Sequence, residues 1–191
     1  MRRCELTHTS RIGTIPPAGH VVAPAGNTSS MSGLPRIALA QINPTVGDLD
    51  GNAALITDWA DKARRAGAEL VIFPELSLPG YPAEDLYLRG DFVRANVETL
   101  TELAARIDGI TALVGFADPV ADPVGSAIAA NAVASISGGE VKAIYHKRLL
   151  PNYGVFDEYR TFRNGSEPVS VNVGEAAVGL TVCEDLSLIH I

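Results

Sequence analysis

Apolar and polar positions recur along the chain with periods that change twice. Residues 36–42 form a mostly apolar run ending before Pro44, which predicts a buried strand. Leu55, Ile56, Trp59, Ala60 and Ala63 then fall on one helical face, behind Asp48 and Asp50 as capping candidates and ahead of Gly67 as a stop. Residues 70–73 predict a second short buried strand, followed by a loop holding Pro74, Pro79, Gly80 and Pro82. Phe92, Val93, Val97, Leu100, Leu103, Ala104 and Ile107 mark a second helix closed by Gly109, and residues 111–116 a third strand. Residues 127–137 and 141–146 flank Gly138-Gly139, a hairpin signal. A polar loop is predicted from 147 to about 168, and 169–173 and 177–183 are the last strands. Strand–helix–strand–helix–strand followed by hairpins is the pattern of an α/β sheet with helices packed on it. No internal repeat is visible.

The ends stand apart from this pattern. Residues 1–33 are rich in Pro, Gly and polar residues without periodicity and read as a flexible leader, with Met31 as the expected start of translation. Residues 186–191 match a peptide encoded by a common sequencing-library adapter and are expected to be a non-native tail, the alternative being a short native strand. The domain proper is therefore expected at 34–185.

Composition narrows the function classes. Of 191 residues 47% are hydrophobic and 19% charged, the balance of a globular chain. A formal charge of −7 argues against a general nucleic-acid binder. No apolar stretch is long enough for a membrane span, and Arg2-Arg3 lacks the apolar segment an export signal needs. A cytoplasmic location is the expectation. Cys4 and Cys183 lie at opposite ends, which gives neither a disulfide framework nor a zinc ribbon. Of four histidines only His146 falls in the body, so no histidine-rich metal site is expected and a Cys-His site would have to use His146.

Three places can carry chemistry. Glu75, in Phe73-Pro74-Glu75-Leu76, follows a buried strand and would face the usual crevice of an α/β sheet, although a capping or surface carboxylate would look the same. Lys147 sits in the basic run His146-Lys147-Arg148, which a solvated surface would equally explain, but an aromatic and acidic stretch follows at 152–160. Cys183 ends an apolar run, where a thiol is either a small hydrophobe or a presented nucleophile. The turn Ser137-Gly138-Gly139-Glu140 only superficially suggests an ATP-pyrophosphatase loop, because Val141-Lys142 stand where that loop has Asp-Ser. One Glu, one Lys and one Cys after three strands make a coherent set without histidine. A carboxylate can take the thiol proton, and an ammonium can lower the thiol pKa and hold a developing oxyanion. That is amide hydrolysis through a thioester.

The motifs together resemble the nitrilase (carbon-nitrogen hydrolase) superfamily from about 34 to 185, above all the glutaminase domains of glutamine-dependent NAD synthetases. The resemblance is carried by 36–44 with Val46-Gly47-Asp48, by 73–82 with Glu84-Asp85-Leu86, by 146–160, and by Val182-Cys183-Glu184-Asp185-Leu186. It implies an α-β-β-α sandwich, incomplete at its C-terminal end, with Glu75 as general base, Lys147 as oxyanion and positioning residue, Cys183 as nucleophile and Glu158 orienting the lysine. Tyr81, Tyr153 and Glu184 would line a glutamine pocket. Ser187 stands where the family pattern has Trp. The implied reaction is L-glutamine plus water to L-glutamate and ammonia. The ammonia would pass to a C-terminal synthetase domain, outside this chain, that uses ATP and Mg²⁺ to aminate deamido-NAD. No cofactor or metal is implied for this domain, and the parent is expected to be a homo-oligomer. The alternatives are a stand-alone amidase of the same superfamily or an inactive fragment; the 152–160 stretch favours the synthetase branch. Without strands after the nucleophile, the outer faces of 127–146 and 169–183 are expected to lie open.

Overall fold

Asp48 begins the first helix by accepting the Gly51 amide at 3.0 Å. Asp50 in the first turn and Lys62, Arg64 and Arg65 in the last complement the helix dipole. The helix α1 (Leu49–Arg65) ends where Gly67, at φ 80°, lets the chain reverse. A computed structural model describes residues 34–120 and 129–190, with side chains placed up to residue 187.

Five strands, β1 (Ile37–Leu39), β2 (Leu70–Ile72), β3 (Thr111–Pro119), β4 (Ala129–Ser137) and β5 (Glu140–His146), form one sheet in that order. β1, β2 and β3 run parallel because α1 and α2 (Gly90–Ala104) make the crossovers. β3, β4 and β5 are antiparallel, and Gly138 and Gly139, both at positive φ, close the β4–β5 hairpin. Ile56, Trp59, Leu100 and Leu103 of the helices pack against Val71, Val114, Phe116 and Ala134 on one face of the sheet. On the other face, β6 (Ser170–Val173) and β7 (Ala176–Gly179) form a two-stranded sheet. Val173, Leu180 and Val182 cover Leu70, Leu113, Val133 and Tyr145. The described residues thus stack a helix layer, a five-stranded sheet and a smaller sheet in a mixed α/β fold. Among them no helix is long and apolar enough to cross a membrane.

Several boundaries differ from the sequence reading. β1 stops at Leu39 because the chain turns after Ala40, whose carbonyl accepts the Ile42 amide. α2 stops at Ala104, and Ile107 is reached through i to i−3 bonds that tighten the last turn. The final strand does not run to Cys183: β7 ends at Gly179, and Cys183 opens a 3₁₀ segment, Cys183–His190. That segment stands where a short strand was the alternative to a tail. The outer face of the hairpin is not open either, since β6–β7 buries Val133 and Tyr145. The leader 1–33 and the hairpin's first residues, Ala127 and Ile128, lie outside the described residues.

Candidate active site

Glu75 sits on a loop pressed flat against the sheet. The Phe73 amide bonds the Leu113 carbonyl and the Leu78 amide bonds the Gly115 carbonyl at 2.9 Å. Gly115 is what allows this approach, because a Cβ there would lie 2.7 Å from the Pro74 carbonyl oxygen. From the helix side, Asn52 donates to the carbonyls of Leu78 (2.9 Å) and Thr45 (2.8 Å) and accepts the Thr45 amide, tying α1 to the loop's end. Leu76, next to Glu75, lies at φ 51°. A non-glycine residue in that region costs about 1–3 kcal/mol, and such residues cluster at functional sites.

Lys147 leaves the end of β5 and is fully buried. Its amide bonds the Asn131 carbonyl and its carbonyl accepts the Gly165 amide, both at 2.8 Å. Its Nζ donates to Glu75 Oε1 at 2.7 Å and to Glu158 Oε1 and Oε2 at 3.0 and 3.1 Å. Glu158 opens a short 3₁₀ turn inside the long polar loop and is itself buried. Burial opposes the charge on Lys147, yet the bond to Glu75 and the charges of both carboxylates outweigh it and hold its pKa above the ordinary lysine value. Burial raises the Glu158 carboxyl, and Lys147 offsets only part of that.

Asn131, in the middle of β4, donates from Nδ2 to the same Glu75 oxygen at 2.7 Å. Sequence reasoning missed it. The signal is a single amide in the apolar run Ala129-Ala130-Asn131-Ala132-Val133, a polar group that a buried strand tolerates only with a partner.

Cys183 stands at φ 46° where the chain leaves β7 for the 3₁₀ segment. Its side chain is exposed. It lines, with Glu75, a cavity of about 280 Å³ whose apolar walls include Phe73, Leu113, Val133 and Leu180. Desolvation and the Glu75 charge push its thiol above the ordinary value, against the pull of Lys147. The thiol therefore stays protonated near neutrality and needs a base to become a nucleophile. Asp185, two residues on, is buried and was not singled out from the sequence. Its carboxylate accepts the amides of Val182, Arg148 and Leu149 and the Tyr145 hydroxyl.

The remaining site candidates surround this group. Tyr81 lies with Glu158 on a neighbouring cavity of about 270 Å³, and burial with the charges of Glu158 and Glu75 raises its hydroxyl pKa. Tyr153 donates to Glu184 Oε2 at 2.9 Å, which raises its own pKa. His146 does not join the cluster: its Nε2 lies 2.7 Å from Asp118 Oδ2, away from the cavity that holds Cys183. The structure thus gathers an ammonium between two carboxylates and a thiol opening on the same cavity as one of them: a proton acceptor, a cation and a nucleophile.

The carbon-nitrogen hydrolase family profile matches residues 36–189, most of the chain. The chain belongs to the carbon-nitrogen hydrolase family. Among curated relatives, this carbon-nitrogen hydrolase chain is 46% identical over 153 residues to the glutamine-dependent NAD(+) synthetase of Thermotoga maritima, covering 79% of this chain and 26% of that protein. With the enzyme of the same name from Synechocystis it shares 40% over 153 residues, covering 78% and 27%. The chain therefore spans only about a quarter of the length of such relatives. Among solved structures, a glutamine-dependent NAD+ synthetase from Acinetobacter baumannii in complex with ADP superposes with a TM-score of 0.71 at 34% identity, covering 82% of this chain and 29% of that one. A cysteine-to-alanine mutant of the Nesterenkonia AN1 amidase, from the nitrilase superfamily, superposes with a TM-score of 0.67 at 26% identity, covering 92% and 60%. The chain is thus homologous to the glutaminase part of glutamine-dependent NAD synthetases.

Proposed function

We propose that this domain hydrolyses the side-chain amide of L-glutamine through a Cys183 thioester and supplies the ammonia to a synthetase domain of the parent chain. The observation that carries the reading is Lys147 Nζ held between Glu75 and Glu158, beside the cavity that Glu75 and Cys183 share. Glu75 takes the Sγ proton and Cys183 attacks the amide carbon. The carbonyl oxygen becomes an oxyanion that the Lys147 ammonium stabilises. Glu75 returns the proton to the amide nitrogen, the C–N bond breaks, ammonia leaves, and a thioester remains. Glu75 then accepts a proton from water as its oxygen attacks the thioester; collapse releases glutamate and gives the proton back to Sγ. Glu158 holds the lysine with both oxygens, and Asn131 fixes the reacting carboxylate of Glu75. Tyr81, Tyr153 and Glu184 are assigned to the glutamine pocket. ATP and Mg²⁺ belong to the amination step of the other domain and serve no step here.

In the parent enzyme, Cys183→Ala and Cys183→Ser are expected to abolish glutamine-dependent NAD synthesis while ammonia-dependent synthesis survives. Both activities are measured in parallel; loss of the ammonia-driven one as well would make Cys183 a structural residue. The likeness to the Nesterenkonia amidase favours one second reading, hydrolysis of another small amide by the same residues. Release of ammonia from short aliphatic amides but not from glutamine would decide for it.

A further inference from the structure

We propose that Asp185 is a positioning residue: its carboxylate joins the turn that carries Cys183 to the strand end that carries Lys147, and so sets the thiol beside Glu75 and Lys147. The proposal rests on the assignment of those three residues above. Oδ1 accepts the amides of Arg148 and Leu149 at 3.0 and 2.9 Å, directly after Lys147. Oδ2 accepts the Val182 amide at 2.9 Å, directly before Cys183, and the Tyr145 hydroxyl at 2.7 Å, two residues before Lys147. The Asp185 amide in turn bonds the Val182 carbonyl at 3.0 Å, so the turn around Cys183 is closed by the same residue that anchors it.

All four partners are donors, and an ionised carboxylate is the side chain of this size that only accepts. The left-handed conformation of Cys183 makes the anchor necessary, because a non-glycine residue persists there only where its surroundings hold it. An asparagine at 185 could still accept the Arg148 and Leu149 amides through its oxygen. Its NH₂ would then face the Val182 amide, which loses its acceptor. Asp185→Asn therefore frees the cysteine side of the clamp and keeps the lysine side.

The test is electrostatic. Each variant is alkylated with iodoacetamide across a pH series, and modification of Cys183 is followed by peptide mass spectrometry, which separates it from Cys4. With Asp185 intact, Glu75→Gln removes a negative charge beside the thiol and is expected to lower the pH midpoint by about one unit. In the Asp185→Asn background the same substitution is expected to shift the midpoint by less than half as much, because the thiol no longer sits beside residue 75. Equal shifts in both backgrounds overturn the proposal. If Glu75→Gln leaves the midpoint unchanged with Asp185 intact, the assignment of Glu75 falls and the positioning role with it. If Asp185→Asn gives no cooperative thermal transition, Asp185→Glu, which keeps the charge but whose longer side chain carries the acceptor off the Val182 amide, takes its place, and an undiminished shift there overturns the proposal.

Discussion

Lys147 is bonded to two carboxylates and is wholly out of solvent. Because Glu75 and Glu158 hold it above the ordinary lysine value, the stability they supply is complete below that value and is lost as pH rises through the higher folded-state value. Removing one partner of a buried pair is costly, about 3–5 kcal/mol. Lys147→Met leaves two carboxylates with nothing between them, so a loss of that size is expected in denaturant unfolding. The same substitution removes the cation that pulls the Cys183 thiol down, and the pH midpoint of Cys183 alkylation should move upward. An unchanged midpoint would place the thiol outside the reach of Lys147.

The elements serve the site mostly through backbone. Gly115 in β3 is the clearest case, since the loop bearing Glu75 crosses it without room for a side chain. Gly115→Ala should push that loop off the sheet, at a cost of about 1–3 kcal/mol for overpacking. Thermal unfolding and glutamine turnover of the parent enzyme check this; a variant with unchanged melting and unchanged kcat would show that the loop has slack. Both helices, the parallel strands and the Gly138-Gly139 hairpin were legible in the sequence, because each rests on a local period or turn residue. Glu75, Lys147 and Cys183 were legible as candidates, by residue type, after apolar runs, although Cys183 lies on the turn beyond β7 rather than at a strand end. Asn131 and Asp185 were not singled out, because the partners that give them their place in the site lie 56 and 36–40 residues away. The expected strand through Cys183 failed for a related reason: Leu180 and Val182 are apolar as a strand would be, but the Asp185 carboxylate takes the Val182 amide and bends the chain into a turn.

At the scale of the molecule, the smaller sheet covers the outer face of the larger one unevenly. It buries Leu70 and Leu113 but leaves the β1 residues Ile37 and Leu39 exposed at 45% and 59%. Ile37 pairs with Leu70 and Leu39 with Ile72, so the bare residues continue the buried face directly. Contiguous apolar surface favours association. The 191-residue chain is expected to self-associate, and Ile37→Thr with Leu39→Thr to raise its monomer fraction in sedimentation velocity without disturbing β propensity. A wild-type chain already monomeric at every concentration would contradict this. The layering also gives the site an order in time. Glu75, Lys147 and Glu158 belong to the larger sheet and the loop after it, whereas Cys183 follows the smaller sheet, 25 residues (183 − 158) after Glu158. At ribosomal speeds of about 5–20 residues per second, those carboxylates and their lysine are synthesised about 1–5 s before the thiol. Under the proposed mechanism, a nascent chain therefore carries the acid–base apparatus without its nucleophile and stays chemically silent until the second sheet has docked.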